Sequence, residues 1–385
     1  MRIRLRFFLL ALLLAFGAVT PSMAQDFDSK AKFAILLDYE TGTVLYSKNA
    51  DERMEPASMA KLMTLAVVFT YLQQKKLSLD DEFFISEHAW RDGGASSGSS
   101  TMFAVLNSKI RVEDLLKGVI VQSGNDAAIA LAEGIGGTEQ TFAKIENQLA
   151  AQIGLTNSHF TNATGLPDPD LYTTAHDLAI LSRYIIKNFP EFYPLFSMPE
   201  FTWNKIKQPN RNSLLEVGIG VDGLKTGHTE ASGYGEVVSA PNDGHRLIAV
   251  IQGLSSMKER AEEARKLITW IMRGFETNPV YPKGTVVAYA NVFGGGKASV
   301  GLVGEDKIDL FVPKGSNNCP TATVTYRGPL RPPVQEGQQV AQLHVFCDGK
   351  EVQTSPLYAQ EAVEEGNLVR RSVDAAKQLL LGWLP

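Results

Sequence analysis

Apolar residues follow several different rules along this chain, and each rule marks a different piece of it. Arg2, Arg4 and Arg6 precede an unbroken apolar run over 7–19, which closes on Ser22-Met23-Ala24. A short apolar core with a basic flank and a small-residue end predicts a secretory signal peptide over residues 1–24, too short to span a bilayer. Two brief apolar runs around Gly42, at 33–37 and 43–46, predict a hairpin. From Ser58 to about Leu77, Leu62, Val67 and Leu72 recur among helix formers, which predicts a buried helix with Ser58 in its first turn. Residues 80–186 read as mostly helical, with loops at 93–100 and 162–170. Strand patterns return at 233–238 and 247–251 across Asn242-Asp243-Gly244, a favoured hairpin turn, and an amphipathic helix follows over 258–273. Strands that open and close a region whose middle is helical predict an α+β, three-layer domain over 25–277, an antiparallel sheet with flanking helices.

Beyond that the pattern changes. Thr277-Asn-Pro-Val-Tyr-Pro282 reads as a proline-marked linker, and short alternating runs near Val286, Val300, 308–312, 322–326 and 340–346 predict a small all-β domain over 283–360. Over 367–385, Val369, Val373, Ala376, Leu380, Trp383 and Leu384 share one helical face, opposite Arg370, Arg371, Asp374, Lys377 and Gln378. Such a helix suits a membrane surface, the other reading being a helix packed on the β domain; it is too short and too charged to span a bilayer.

Composition narrows the function. Hydrophobic residues at 44% and charged residues at 21% are ordinary for globular domains. The net charge of −5 becomes more negative once the leader arginines are lost, and no basic stripe offsets it, which argues against a nucleic-acid partner. The six histidines are scattered with no H-E-x-x-H or close pair, so no metal site and no cofactor is expected. Cys319 and Cys347 are the only cysteines; an oxidising compartment permits one disulfide between them, the alternative being two buried thiols.

The chemistry rests on Ser58-Met-Ala-Lys61, Ser123-Gly-Asn125 and Lys225-Thr-Gly227. The first two patterns are weak alone, since S-x-x-K recurs at Ser29/Lys32 and Ser255/Lys258 and S-x-N at Ser316/Asn318, whereas K-T-G occurs once. Their order and setting carry the argument. A serine hydroxyl needs a base to become a nucleophile, and Lys61, three residues on, lies on the same helical face. Burial and a like charge at Lys225 both lower a lysine pKa enough for that role. Ser123 is placed to relay a proton to a leaving amine, Asn125 to hold a substrate amide, and the Ser58 N–H to stabilise an oxyanion. The bland alternative makes Ser58 a helix-start residue, Ser123 and Asn125 turn formers, and both lysines solvated.

With these motifs, Gln122-Ser-Gly-Asn-Asp-Ala127, Asn162-Ala-Thr-Gly-Leu-Pro167, Thr174-Ala-His-Asp177 and Val221-Asp-Gly-Leu-Lys-Thr-Gly-His-Thr229 make the chain resemble low-molecular-mass penicillin-binding proteins. The resemblance is to the serine-type D-alanyl-D-alanine carboxypeptidases of the penicillin-binding-protein-5-like kind, and it covers essentially the whole mature chain. It implies loss of the last D-alanine from peptidoglycan pentapeptides through a Ser58 acyl-enzyme, trapping of Ser58 by β-lactams, and a periplasmic, membrane-peripheral location. It also implies that the His228 N–H is a second oxyanion donor, that Thr226 and Gly227 line the substrate strand, and that Thr226, Arg211 and Arg260 meet the terminal carboxylate, which physically requires a cationic pocket. Two other readings stay open. A class A β-lactamase would need a deacylating glutamate, yet 162–170 offers only Asp168 and Asp170, and the middle motif is S-G-N where class A has S-D-N. A non-catalytic wall-binding scaffold would keep the fold without turnover.

Overall fold

A computed structural model describes residues 27–242, 244–315 and 319–381. The signal peptide expected over 1–24 lies outside the described residues, as do Trp383 and Leu384. Strands β1 (Phe33–Asp38) and β2 (Val44–Lys48) form the expected hairpin. Helices α1 (Lys61–Gln73), α2 (Glu87–Asp92), α3 (Val112–Val121), α4 (Asn125–Gly136), α5 (Glu139–Ile153) and α6 (Ala175–Asn188) follow. A small ribbon of β3 (Glu82–Phe84) with β4 (Lys109–Arg111) interrupts this helical region, and a second, β5 (Glu200–Trp203) with β6 (Ile206–Pro209), follows it. Strands β7 (Gly223–Thr229), β8 (Gly233–Asn242) and β9 (His245–Leu254), then α7 (Met257–Gly274), complete the first unit.

The sheet is antiparallel throughout, in the order β2-β1-β9-β8-β7. Its middle strands are apolar on both faces because each face is covered. In β1, Phe33, Ile35 and Leu37 pack with α1 and α6, while Ala34 and Leu36 pack with Leu267, Ile268 and Ile271 of α7. The same alternation sends Val237 of β8 to the first core and Val238 to the second. That is the expected three-layer α+β arrangement. Helix α1 runs through the larger core, buried on every side from Lys61 to Phe69, which explains its lack of a polar face.

Three local readings need correction. Ser58 does not open α1: it sits in a 3-10 turn, Ala57–Ala60, and Lys61 is the first residue of the α-helix, which ends at Gln73. Lys225 does not precede the returning strands but lies within β7, whose polar Lys-Thr-Gly-His-Thr sequence hides an edge strand from an alternation test. Residues 277–282, read as a linker, belong largely to β10 (Phe275–Tyr281), paired with β13 (Ile308–Pro313). Pro279 is tolerated there because the two-stranded ribbon leaves β10 with an open edge and a register shift beside the proline.

The all-β unit adds a five-stranded sheet of β11 (Ala288–Asn291), β12 (Ser299–Val303), β16 (Lys350–Ala359), β15 (Gln339–Cys347) and β14 (Thr321–Tyr326), in that order. Cys319 and Cys347 are disulfide-bonded, fastening the approach to β14 to the end of β15. Strand β13 serves both units: Ile308, Leu310 and Val312 join the core of the β unit, while Phe311 joins the core under α7. The terminal helix α8 (Leu368–Leu381) leans its polar side on this unit, Asp374 accepting the Gly294 N–H at 3.0 Å and Arg370 donating to the Gly296 carbonyl at 2.9 Å. Leu368 and Val369 stand exposed, and among the described residues no helix is long and apolar enough to cross a membrane.

Candidate active site

The site is assembled where the Ala57–Ala60 turn, the α3–α4 junction and edge strand β7 converge. Pro56 and Ala57, the latter in the left-handed region at φ +48°, turn the chain sharply into the 3-10 segment that carries Ser58. Two glycines permit this. Gly165 has φ +75°, and a Cβ there would stand 1.9 Å from the Ala57 carbonyl oxygen. At Gly227 a Cβ would stand 3.0 Å from the Pro56 carbonyl and 3.1 Å from Met59 Cγ, so the strand can ride against the turn.

Lys61, fully buried, donates from Nζ to Ser58 Oγ at 2.9 Å and to the Thr164 carbonyl at 2.5 Å. Burial pushes its pKa down to about 7, assisted by Arg211 and opposed by Asp126 and Glu139. A neutral amine is therefore populated near neutral pH, with an N–H for Thr164 and a lone pair for the Ser58 hydroxyl. Lys225 donates to Ser123 Oγ at 2.9 Å and to its neighbour's Thr226 carbonyl at 3.0 Å. Burial again leads in lowering its pKa, followed by Lys61, Arg211 and Arg260, with Glu236 opposing.

Ser123 occupies the left-handed region, φ +62°, at the sharp junction where α3 gives way to α4. Asn125 spends its backbone N–H on Ser100 and its Nδ2 on Ser99, leaving a buried Oδ1 without a partner. An acceptor held in that condition is prepared for an incoming N–H. Thr226 is buried opposite Glu236 on β8, and His228 is exposed with its ring stacked on Tyr234 at 3.8 Å between centroids. Arg211 is exposed and donates to Ser100 Oγ at 2.7 Å. Arg260 differs from expectation: it is buried, donates to the Arg211 carbonyl at 3.0 Å, and sets Nε 3.5 Å from the carboxylate of Glu236. Its place is behind Arg211 rather than beside it, because α7 lies under the far face of the sheet.

Sequence reasoning assigned no role to three residues that matter here. Asp126 accepts from Thr101 Oγ1 and from the N–H groups of Met102, Ala104 and Ala127 at 2.6–3.0 Å, pinning the loop that flanks Asn125. Thr164 contributes only a backbone carbonyl, which no motif reveals. Glu236 did leave a signal, as a carboxylate inside an otherwise apolar strand run. In the 162–170 loop the Asp168 carboxylate accepts the Asp170 N–H at 2.8 Å, while Glu139 accepts the Ala163 N–H at 2.9 Å and Glu146 accepts the Thr64 hydroxyl at 2.9 Å.

A three-layer fold holding two serine–lysine pairs beside a K-T-G edge strand defines the class of serine acyl-transfer enzymes to which penicillin-binding proteins belong. The comparisons narrow the class. The family model for D-alanyl-D-alanine carboxypeptidase matches residues 19–256, and that for the penicillin-binding protein 5 C-terminal domain matches residues 275–365. The D-alanyl-D-alanine carboxypeptidase DacC of Escherichia coli is 39% identical over 373 residues, covering 96% of this chain and 92% of that protein. Among solved structures, penicillin-binding protein 5 from Haemophilus influenzae superposes with a TM-score of 0.77 at 40% identity, covering 88% of this chain and 98% of that one. Penicillin-binding protein D2 from Listeria monocytogenes, solved in an ampicillin-bound form, matches at 29% identity and TM-score 0.56 over 64% of this chain and 98% of its own. The chain belongs to the D-alanyl-D-alanine carboxypeptidase family, as a low-molecular-mass penicillin-binding protein of the penicillin-binding-protein-5-like kind. It is a serine-type D-Ala-D-Ala carboxypeptidase, and the family implies a peptidoglycan D-Ala-D-Ala substrate and β-lactam binding.

Proposed function

We propose that Ser58 is the nucleophile that removes the terminal D-alanine from pentapeptide stems. Neutral Lys61 takes the hydroxyl proton as Oγ attacks the carbonyl of the penultimate D-alanine, and the N–H groups of Ser58 and His228 hold the oxyanion. As the tetrahedral centre collapses, Ser123 passes a proton to the departing amine, Lys225 holding Ser123 in place. Water then hydrolyses the Ser58 ester. Asn125 Oδ1 receives a substrate N–H, and Thr226 with Arg211 meets the terminal carboxylate, Arg260 supporting Arg211 from behind. A β-lactam follows the same first step, but its leaving nitrogen stays tethered to the acyl group. The observation that carries this reading is the position of Lys61 Nζ, buried and 2.9 Å from Ser58 Oγ.

Export through residues 1–24 and attachment of α8 to a membrane surface would put this chemistry at the periplasmic face of the inner membrane. The exposed Leu368 and Val369 support that attachment. The test pairs a labelled penicillin with a pentapeptide. The native protein is expected to label at Ser58 and to release D-alanine, and Ser58→Ala to do neither. Retained activity in that variant would sink the assignment, and rapid penicillin turnover would favour a lactamase. Removal of residues 367–385 is expected to shift the protein from the membrane to the soluble fraction with turnover intact.

A further inference from the structure

A pocket built to attract a carboxylate is backed in this protein by another carboxylate. Glu236 on β8 is fully buried, and neither of its carboxyl oxygens has a hydrogen-bond partner. Across the strand pair it stands opposite Thr226. The charged groups that face it are Arg260 from α7, with Nε at 3.5 Å, and Lys225 from β7; β9 sets the uncharged Ile251 against it. Arg260 Nε likewise has no hydrogen bond, while its Nη2 fastens the Arg211 carbonyl and Arg211 reaches Ser100. A single line of contacts thus joins the buried acid to the two arginines.

We propose that Glu236 is a positioning residue for substrate affinity, which balances Arg260 in the free enzyme and yields that charge to the substrate's terminal carboxylate by taking up a proton. The inference rests on the reading of Thr226 and Arg211 as the carboxylate pocket. Stripping a carboxylate of water without giving it N–H partners disfavours its charged form. Burial raises the Glu236 carboxyl to about 7, Arg260 and Lys225 holding it from rising further. Near neutral pH the acid is therefore divided between both forms. A second carboxylate arriving at Thr226 and Arg211, one contact in front of Arg260, repels the ionised form, so binding draws a proton onto Glu236. The sign follows by linkage: above about pH 7 the ionised acid competes with substrate, and as pH falls through this range affinity rises.

The experiment uses the full-length Ser58→Ala protein, which binds without reacting, with and without Glu236→Gln. Each is titrated calorimetrically with an N-acetylated tripeptide ending in D-Ala-D-Ala and with its C-terminal amide, at about pH 6 and about pH 8. Glu236 does not act on Lys61, whose titration cancels in the comparison, while any change that losing Glu236 makes in Lys225 is reported by the amide peptide, which brings no charge to the pocket. Glu236→Gln is expected to bind the acid peptide about tenfold more tightly than its parent at the higher pH and equally at the lower, with no effect on the amide. An identical pH response in the two proteins would overturn the role of Glu236. Should the parent bind amide and acid alike, the carboxylate pocket itself would be refuted, a result distinct from the first.

Discussion

Ser58 with Lys61 and Ser123 with Lys225 are the same two side-chain types at the same 2.9 Å, and both lysines are buried, yet their surroundings differ. Burial lowers Lys61 to about 7, with Arg211 adding to the effect and the negative charges of Asp126 and Glu139 offsetting it. Lys225 faces Lys61, Arg211 and Arg260 with only Glu236 against them, and is driven well below the usual lysine range. Burial frees the amine of both lysines, and the balance of neighbouring charge then separates the two. The first lysine is poised to exchange a proton at working pH, and the second to orient a hydroxyl.

Breaking the pairs one at a time sharpens that contrast. Lys61→Arg keeps the charge but removes any neutral form, and is expected to slow acylation by a labelled penicillin about a thousandfold. Lys225→Gln leaves the base intact and loosens only Ser123, so a smaller loss, about a hundredfold in the same assay, is expected; equal losses would erase the distinction. Acylation in the native protein should fall about tenfold per pH unit below about 7, because protonated Lys61 accepts no proton from Ser58. A rate flat to about pH 5 would assign the base elsewhere. The smallest effect is on the scaffold of the first pair: Gly165→Ala, with its Cβ against the Ala57 carbonyl, is expected to cost on the order of 2 kcal/mol of stability in thermal melts.

How far the sequence foretold this depends on how local each feature is. Ser58 and Lys61 are three residues apart, so helical geometry alone brings them together, and the apolar runs of β1 and β9 announce a sheet covered on both faces. The Ser123–Lys225 contact joins residues 102 apart and depends on a tertiary arrangement that no spacing rule encodes. Strand β7 escaped notice because its side chains serve the site rather than a core. Arg260 was legible as a cation near the pocket, but its burial beneath the sheet follows from α7 packing on the far face. The β10 strand was obscured by Pro279, which signals a break unless the strand lies at an edge.

Strand β13 has a practical consequence for anyone dissecting the molecule. Phe311 stacks on Phe275 at 5.3 Å and on His245 at 4.9 Å, plugging the floor of the catalytic unit from the neighbouring one. A truncation ending at the proline-marked segment would uncover Phe275 and His245, a sticky seam on an otherwise finished module. The natural excision point is not where the sequence looks most cuttable. Any fragment meant to stand alone must first replace Phe311, or polarise the seam it leaves behind.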